Sequence, residues 1–434
     1  MRPGEQISVY DRMCWPTEEL ERALECGTHR RELRAYLGAS EFDLLRTLAR
    51  AAARTRPRAG LPKVYVLPGI MGSQLGRARA RGQPADLLWL DPSDIVQGRL
   101  AQLRWGARRS LQTLGAIPYS YLPLKLRLRA AGFQVLLYDY DWRADLNVLG
   151  AALAARLRAD SAGELALIGH SMGGLLARAA MAPRHGAIAR GASRRVTRLI
   201  GLGTPHDGAM AAVQALRATY PLICRLAAID VRHDAEALCR EVFHSFMSIY
   251  QLLPLRAGSL DLFDPRCWPR QGMLPDAARL SAARAFRACL AAPDERYVSI
   301  IGTGQRTATA LTQRGGQFHY EISTAGDGTV AAACATLAGA RNYYVRCEHS
   351  ELPRNERVAA ALVDLLRTGR TRRLPQQRAR TGGPIVVVSD SALRRSFARK
   401  IDWHALSPAE RRRYLKRLSA APAQYRAART NAKR

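Results

Sequence analysis

The segment of residues 165–178, LALIGHSMGGLLAR, constrains this chain more than any other part of its sequence. An apolar run ends there in the spacing Gly-x-Ser-x-Gly, with the serine at position 171, and a helical pattern follows at once. A strand and a helix that converge within five residues leave no space for side chains at the two glycine positions. Such a turn pushes the serine hydroxyl out at the edge of a sheet. We therefore predict that Ser171 is a nucleophile, with a glycine-rich turn of an ordinary α/β protein as the alternative.

A serine hydroxyl becomes a good nucleophile only when a base removes its proton, so a histidine is required. His349 follows the apolar run of residues 343–345 and precedes a helical segment at 354–367. We expect this histidine to lie on a loop after the last strand and to act as the base. His170 lies within the turn itself, where we expect its side chain to point away from the serine and to pack. Five other histidines lie in polar or helical surroundings and are predicted to be at the surface: His29, His185, His233, His244 and His404.

A carboxylate must orient the base and stabilise its charged form, and the expected chain order is serine, acid, histidine. Asp327 fits this order and lies between two glycines in the segment of residues 325–330. Flanking glycines allow a carboxylate to sit on a tight loop close to neighbouring strands. We predict Asp327 as the acid, although a turn aspartate that caps its own loop would look the same. By chain order alone other aspartates remain open, among them Asp230, Asp234, Asp261, Asp264 and Asp294.

Two backbone N–H groups are needed to bind the oxyanion of a tetrahedral intermediate. One should come from Met172, at the positive end of the helix that follows the nucleophile. The other should come from a loop after an earlier strand. Residues 64–67 have the pattern of that strand, and residues 68–73 form a glycine-containing loop in which we place the donor at Ile70.

Eight segments of the chain carry a resemblance to a known family. In chain order they are VLPGIMGS at residues 66–73, LWLD at 88–91, YDYDWR at 138–143, GHSMGG at 169–174, GTPHDG at 203–208, YQLLP at 250–254, GDGTV at 326–330 and the block around His349. The chain resembles the lecithin:cholesterol acyltransferase-like branch of the α/β-hydrolases, a group of lipases, phospholipases and acyltransferases. The resemblance implies Ser171, Asp327 and His349 as a catalytic triad, with the amides of Ile70 and Met172 as the oxyanion hole.

Strand and helix patterns alternate along the middle of the chain. The strand patterns lie at residues 63–67, 133–138, 164–169, 196–202, 297–302 and 342–347, with helical patterns such as 147–159 and 172–182 between them. This alternation predicts an α/β protein whose mostly parallel central sheet is flanked by helices, and with the motifs above it predicts an α/β-hydrolase fold. Residues 205–295 have no strand pattern and should form a helical cap inserted over the nucleophile.

The sequence divides into three parts. Residues 1–60 look like a helical N-terminal extension, residues 61–370 like the α/β-hydrolase domain, and residues 371–434 like a basic C-terminal extension. Within them, residues 307–323 have the pattern of a hairpin. Residues 383–390 form one more strand-like piece, which either pairs with a sheet edge or begins a small extra module.

The cap region contains a stripe of apolar side chains at spacings of three and four. The stripe consists of Phe243, Phe246, Met247, Tyr250 and Leu253. Such a stripe either packs the cap onto the core or lines an acyl-chain tunnel or a lipid-facing surface. Outside the cap, we expect the segment of residues 138–143 to brace the floor of the active site.

Charge is concentrated at the C-terminal end of a chain whose net charge is +31. Residues 371–434 contain 17 Lys and Arg against 3 Asp and Glu. A solvated extension with a biased composition would account for this, and so would peripheral contact with an anionic membrane. Binding to nucleic acid is the weaker reading, because no aromatic residues interleave the arginines as stacking partners.

The remaining sequence signals concern compartment and cofactors. There is no run of 18 apolar residues and no apolar core of a signal peptide near the start, so we predict a cytoplasmic protein, with membrane association as an option. The eight cysteines show no C-x-x-C spacing, which argues against zinc or redox sites and favours buried free thiols. We expect no metal and no other cofactor.

These observations predict a serine hydrolase that cleaves carboxylic esters with an apolar acyl chain, most simply lipid esters, through an acyl-enzyme. The alternative is an acyltransferase that moves the acyl group from a phospholipid to an alcohol acceptor. A third hypothesis, from a different class, is a binding protein without catalytic activity on the same scaffold. The oligomeric state is left open by the sequence.

Overall fold

The protein, represented by a computed structural model that describes residues 7–107, 110–379, 384–397 and 399–425, is built around a parallel sheet of six strands. Its strands in spatial order are β11 (Arg341–Arg346), β8 (Tyr297–Thr303), β7 (Val196–Leu202), β6 (Leu165–His170), β1 (Lys63–Leu67) and β5 (Val135–Leu137). Every neighbouring pair in this sheet is parallel. The predicted pieces that fall on residues 1–6, 108–109, 380–383, 398 and 426–434 lie outside the described residues.

Two smaller antiparallel sheets accompany the central one. The first consists of β3 (Asp86–Trp89), β2 (Ser73–Arg77) and β4 (Gln112–Ala116), and the second of β12 (Val386–Ser389), β10 (Gln317–Ser323) and β9 (Thr307–Arg314), each in spatial order. The predicted hairpin is therefore the β9–β10 pair. The strand-like piece near the C-terminus pairs with the edge of that hairpin as β12.

Helices connect these strands. In chain order they are α1 (Val9–Arg12), α2 (Thr17–Cys26), α3 (Arg30–Leu37), α4 (Ala39–Ala53), α5 (Pro92–Val96), α6 (Pro118–Ala130), α7 (Leu146–Ala159), α8 (Met172–Ala180), α9 (Gly186–Arg195), α10 (Met210–Leu216), α11 (Pro221–Ile229), α12 (Ala235–Glu241), α13 (Met247–Gln251), α14 (Ala277–Ala288), α15 (Ala332–Ala335), α16 (Glu356–Thr368), α17 (Asp390–Ser396) and α18 (Pro408–Lys416). Short 3-10 turns occur at Arg99–Leu103, Pro183–His185, Phe243–Ser245, Pro265–Cys267, His349–Glu351 and Ala423–Tyr425.

The central sheet is covered on both faces, as a parallel sheet requires. Alternate residues of β1 point to opposite faces. Tyr65 and Leu67 belong to the core on the side of α7 and α8, whereas Val64 and Val66 belong to the core on the side of α6 and α16. All four side chains are buried. This arrangement confirms the predicted α/β-hydrolase fold, and the six predicted strands agree with the observed ones to within two residues.

The helices α10 to α14 lie between β7 and β8, in the region predicted to form a cap. Pro221 is the first residue of α11 and separates it from α10. A proline disfavours helical backbone at the residue before it, and Tyr220 is extended here. Of the apolar stripe, Phe243, Phe246, Tyr250 and Leu253 are fully buried and Met247 is partly buried. The stripe therefore packs the cap onto the core.

The N-terminal helices form a cluster of their own against α6. Phe42 and Leu45 of α4 pack there with Leu122 and Leu126 of α6. An ion pair between Glu41 and Arg354 ties the same cluster to the loop that follows the predicted base, with an N···O distance of 2.8 Å. The N-terminal extension is thus joined to the central domain next to the loop that carries His349.

The described part of the C-terminal extension is also packed onto the core, which differs from a solvated tail. We call residues 384–425 the C-terminal segment. Leu393, Trp403, Leu418 and Tyr425 in it are buried. Asp390 is fully buried, accepts a hydrogen bond from the hydroxyl of Tyr320 at 2.9 Å and forms an ion pair with Arg217 of the cap at 3.0 Å. The segment therefore links the cap to the β9–β10 hairpin.

Two further sequence expectations concern cysteines and membrane spans. All eight cysteines are free. Burial raises the pKa of the Cys224 and Cys239 thiols to about 12 each, so both stay protonated at neutral pH. None of the helices in the described ranges has the length and apolar character needed to cross a bilayer.

We predict that Asp390→Ala lowers the free energy of unfolding by about 3–5 kcal/mol, because it leaves the buried guanidinium of Arg217 without its counter-charge. Denaturant titration followed by tryptophan fluorescence measures the loss. The matched control is Asp43→Ala, which removes the partner of the more exposed Arg34 and should cost less than about 1 kcal/mol. Equal losses in the two variants would contradict the anchoring role of Asp390.

Candidate active site

Ser171 lies in the sharp turn between β6 and α8, at the carboxyl edge of the central sheet. Its backbone has φ 52° and ψ −124°, a region that costs a residue with a side chain about 1–3 kcal/mol. The turn is held by a hydrogen bond from the Ser171 amide to the carbonyl of Leu202 at 2.8 Å. A Cβ atom at Gly173 would lie 2.3 Å from the carbonyl oxygen of Leu67, so glycine is required where α8 crosses β1. The strained turn is the geometry predicted from the motif.

The loop of residues 68–73 is pinned from several sides by aromatic donors. The hydroxyl of Tyr140 donates to the carbonyl of Pro68 at 2.5 Å, and the indole of Trp142 donates to the carbonyl of Ser73 at 3.0 Å. The indole of Trp89 donates to the carbonyl of Met71 at 2.9 Å. Residues 138–143 therefore hold the loop that carries Ile70, which gives a physical basis to the bracing expected of them.

The amides of Ile70 and Met172, predicted as oxyanion donors, lie on two different elements at this edge of the sheet. Met172 is the first residue of α8, where an N–H group has no acceptor within its own helix. Within the described residues, neither amide donates a hydrogen bond to another group. Ile70 and Ser171 line the same cavity. Both donors are therefore free to bind an anionic oxygen.

Asp327 and His349, the predicted acid and base, are in direct contact. Nδ1 of His349 lies 2.7 Å from Oδ2 of Asp327, and the His349 amide donates to the Asp327 carbonyl at 2.8 Å. The other carboxylate oxygen accepts hydrogen bonds from the amides of Thr329 at 3.0 Å and Val330 at 2.7 Å. These contacts orient the carboxylate, which is 1% exposed, and leave Nε2 of His349 for another partner.

Gly203, for which the sequence predicted no role, makes room for the Asp327–His349 pair. Gly203, directly after β7, has φ 57°. A Cβ atom there would lie 2.9 Å from Oδ2 of Asp327 and 3.0 Å from Nδ1 of His349. The motif GTPHDG could have indicated this role for Gly203, since its first glycine directly follows a buried strand. The glycine allows the acid and the base to approach the end of β7.

Ser171 and His349 line one cavity, but their side chains are not hydrogen-bonded within the described part of the chain. Serine–histidine contacts are often long in the absence of substrate and tighten when substrate binds.

The aspartates left open by chain order lie elsewhere: Asp230 contacts His233, for example, and Asp294 contacts Arg296. The five histidines expected at the surface also lie outside this cavity; His29 and His404 are exposed, while His185, His233 and His244 are partly buried.

His170 packs as expected, but it also belongs to a hydrogen-bonded chain that the sequence did not predict. The amide of Gly69 donates to the hydroxyl of Tyr121 at 2.9 Å, and that hydroxyl lies 2.9 Å from Nδ1 of His170. Nε2 of His170 lies 3.0 Å from the carbonyl oxygen of His349. The Tyr121 hydroxyl therefore donates to Nδ1, and Nε2–H donates to the carbonyl. These hydrogen bonds join the loop of residues 68–73 to the loop that carries His349.

The hydrogen-bond pattern requires a neutral His170. Burial lowers the pKa of His170 to about 3, and the nearby His349 acts in the same direction. The two imidazole rings lie 4.8 Å apart between centroids. A neutral His170 ring therefore places no second positive charge beside the predicted base.

The cavity beside Ser171 has a volume of about 360 Å³ and is mainly lined by apolar side chains. We call it the apolar cavity. Its core and cap residues include Ile70, Met71, Leu90, Ile249 and Leu252. The two terminal extensions also line it, through Tyr10, Tyr36, Leu415 and Leu418. Ile249 and Leu252 are neighbours of the cap stripe, so the lining comes from positions adjacent to the predicted ones.

The composition of the site points to acid–base and nucleophilic chemistry carried by side chains. Within the described ranges, no cluster of three or more His, Cys, Asp or Glu side chains is arranged to hold a metal ion. The arrangement that is present can activate a hydroxyl, hold an oxyanion and return a proton.

Comparison with known proteins gives three findings. A family model described as the PGAP1-like alpha/beta domain matches residues 156–237, a stretch that includes Ser171 but spans less than a fifth of the chain. No curated protein matches the sequence. Solved structures with similar folds include the mature Bacillus licheniformis lipase BlEst2, at 17% identity over 72% of this chain and 94% of that one with a TM-score of 0.37. The Tle4–Tli4 complex matches at 15% identity, 71% and 98% coverage and a TM-score of 0.47.

A third solved structure, that of Staphylococcus hyicus lipase, matches at 14% identity over 71% of this chain and 91% of that one, with a TM-score of 0.29. Scores of this size carry no argument about activity. The chemical interpretation of this protein therefore depends on the geometry of its own site.

We predict that the free energy of unfolding falls as the pH drops from about 6.5 towards 3, because the unfolded chain protonates His170 near pH 6.5 and the folded protein does not. His170→Gln keeps a donor towards the His349 carbonyl but does not titrate. The free energy of unfolding of this variant should therefore fall less steeply as the pH drops. Some slope should remain, since burial also lowers the pKa of His206. Denaturant titrations between pH 4 and 7 measure the slope.

The control for this prediction is His404→Gln, at an exposed histidine. It should keep the wild-type slope. The comparison concerns slopes and not absolute stabilities, so a general destabilisation of His170→Gln does not affect it. A slope in His170→Gln equal to that of the wild type would contradict the neutral, buried state of His170.

Proposed function

We propose that the protein is a serine hydrolase that cleaves carboxylic esters, with lipid esters as the substrate class. In this proposal Ser171 is the nucleophile, His349 the base and Asp327 the acid that orients the base. The observation that carries the proposal is the hydrogen bond of 2.7 Å between His349 and Asp327, next to a strained serine on the wall of an apolar cavity. A strained serine alone or a His–Asp pair alone would be compatible with a structural role.

In the first half of the reaction, Nε2 of His349 takes the proton of the Ser171 hydroxyl while Oγ attacks the ester carbonyl carbon. The carboxylate of Asp327 stabilises the imidazolium that forms. The amides of Ile70 and Met172 donate to the oxyanion of the tetrahedral intermediate. The intermediate then expels the alcohol, which receives its proton from His349, and an acyl-enzyme remains on Ser171.

In the second half, a water molecule gives a proton to His349 and attacks the acyl carbon. The second tetrahedral intermediate breaks down when Ser171 leaves and takes its proton back. Histidine suits both halves because its ordinary pKa near 6.5 allows it to accept and return a proton close to neutral pH.

The preference for lipid esters rests on the lining of the apolar cavity. Leu90, Ile249 and Leu252 offer contacts to an alkyl chain but no hydrogen-bonding side-chain groups. Burying each methylene of such a chain contributes about 0.8 kcal/mol. Substrates of this kind reside in membranes, and the net positive charge of the C-terminal extension would favour peripheral contact with an anionic membrane at the cytoplasmic side.

Transfer of the acyl group to an alcohol is the alternative outcome of the same acyl-enzyme. The observation that favours it is the mainly apolar lining of the cavity, to which the terminal extensions contribute Tyr10, Tyr36, Leu415 and Leu418, since an apolar site disfavours water. Product analysis with and without an added lipid alcohol separates the two outcomes: free fatty acid in both samples indicates hydrolysis, and a new ester in the second indicates transfer.

We predict that Ser171→Ala lowers kcat for a p-nitrophenyl ester by roughly 10³-fold or more, because the acyl-enzyme cannot form. The matched control is Ser120→Ala, since Ser120 lines the same cavity but has no proposed part in the chemistry. Its kcat should stay within a few-fold of the wild type. Equal activity of Ser171→Ala and the wild type would refute the assignment of the nucleophile.

We predict that Asp327→Asn lowers kcat by roughly 10³- to 10⁴-fold at neutral pH, because an amide group at this position stabilises the wrong tautomer of His349. Steady-state kinetics with the same ester measures the loss. Asp294→Asn, at one of the other aspartates compatible with the chain order, is the control and should change kcat only slightly. A larger loss in the control than in Asp327→Asn would move the role of the acid to another carboxylate.

A further inference from the structure

A second cavity, with a volume of about 770 Å³, also has His349 in its lining. We call it the cationic cavity. Asp327, Gly328 and Glu348 of the hydrolase core line it, together with α18 and the residues that follow α18 in the C-terminal segment. Thr329, His349, Ser350, Lys416 and Ser419 line both cavities. The two cavities therefore meet at the predicted base.

Positive charge dominates the lining of this second cavity. Its cationic side chains are Arg225, Arg306, Arg413, Lys416 and Arg417. Against them stand three carboxylates, and two of these are already engaged: Asp327 with His349, and Glu410 with the hydroxyl and amide of Ser407. These contacts do not remove the negative charge of the carboxylates, so the lining has five cationic side chains against three carboxylates.

The cations differ in what they bind. Arg225 donates to the carbonyls of Leu418 and Ala420, both at 2.7 Å, and Arg306 donates to the carbonyl of Pro384. By contrast, the guanidinium groups of Arg413 and Arg417 make no hydrogen bond and no ion pair with any described residue. A guanidinium carries five N–H donors in a fork that matches oxyanion geometry. Two such groups are available in this cavity.

The position of the cationic cavity relative to His349 decides which part of a substrate would enter it. In ester cleavage the base returns its proton to the leaving oxygen, so the alcohol part of the ester lies on the side of the base. The acyl chain then occupies the apolar cavity beside Ser171. We infer that the cationic cavity binds an anionic group, of the size and charge of a phosphate, on the alcohol part of the ester. This inference rests on the proposed function and names its substrate class: esters that join an apolar acyl chain to an anionic alcohol.

The inference also gives the C-terminal segment a part in substrate binding. Arg413 and Arg417 lie on and just after α18, and this part of the chain is held by the hydrogen bonds of Arg225 and by the hydroxyl of Tyr414, which donates to the carbonyl of Arg225 at 2.7 Å. The same segment supplies Leu415 and Leu418 to the apolar cavity. Residues of α18 and of the turn after it thus contribute to both cavities: Leu415 and Leu418 line only the apolar cavity, Arg413 and Arg417 only the cationic cavity, and Lys416 both.

The test compares two esters that differ by one phosphate: 1-decanoylglycerol 3-phosphate and 1-decanoylglycerol, both used as monomers. For the full-length protein we expect a kcat/KM for the phosphate ester at least about tenfold higher than that for the neutral ester. In Arg413→Gln/Arg417→Gln this ratio should fall about tenfold, mainly through KM. The control Arg22→Gln/Arg50→Gln removes the same charge from exposed residues that line neither cavity, and should keep the wild-type ratio.

Two results would overturn the inference while leaving the hydrolase proposal intact. The first is equal kcat/KM for the two esters in the wild type. The second is a fall of the ratio in the control variant as large as that in Arg413→Gln/Arg417→Gln, since this would assign the preference to net charge alone. In a further arm, inorganic phosphate at constant ionic strength should inhibit the phosphate ester competitively. Activation of neutral-ester hydrolysis by inorganic phosphate would instead indicate a site for a free anion, and would contradict a headgroup site.

If neither ester is hydrolysed, the proposed function fails, and calorimetry then decides on the cavity. Ser171→Ala should bind the phosphate ester more tightly than the neutral ester, and the added changes Arg413→Gln/Arg417→Gln should abolish that difference. Equal binding of both esters to Ser171→Ala would overturn the inference.

Discussion

The site depends on one steric constraint, the close crossing of α8 over the end of β1 behind Ser171. The carbonyl of Leu67 leaves no room for a side chain at Gly173, and the contact fixes the direction in which α8 starts. That direction sets the unusual backbone of Ser171 and the position of the Met172 amide. A looser crossing would relax the turn and move the Ser171 hydroxyl and the Met172 amide together. The strain at Ser171 is maintained because β6, β1 and α8 are all buried around it.

Much of the fold and of the candidate site could be predicted because their signals are local. The strands of the central sheet are short apolar runs bounded by turn residues, and each was found to within two residues. Ser171 could be proposed because the turn requires glycines at fixed spacing. Asp327 was proposed from chain order and its flanking glycines, and His349 from its place after the last strand. Their hydrogen bond joins the loop after the β9–β10 hairpin to the loop after β11, while their roles in chemistry stay predictions.

The contacts that escaped prediction join residues far apart in the chain. The link from Gly69 through Tyr121 and His170 to His349 needs three loops at defined distances, and no periodic pattern encodes it. The packing of the C-terminal segment could not be predicted from the sequence for a related reason. Its buried residues, such as Leu393 and Tyr425, are scattered among arginines, so composition masks the apolar positions. A high charge density in a sequence indicates a solvated segment only when that segment has no surface to pack on.

The excess of arginine has a structural consequence in this protein. With 67 Lys and Arg against 36 Asp and Glu, many cations have no carboxylate to pair with. Several donate to backbone carbonyls instead, as Arg225 does at Leu418 and Ala420. A guanidinium used in this way fixes loops without a counter-charge, and its positive field remains available to a ligand. Arg413 and Arg417 lack even a carbonyl partner among the described residues, so an anion at the cationic cavity would meet donors that need not break any contact to bind it.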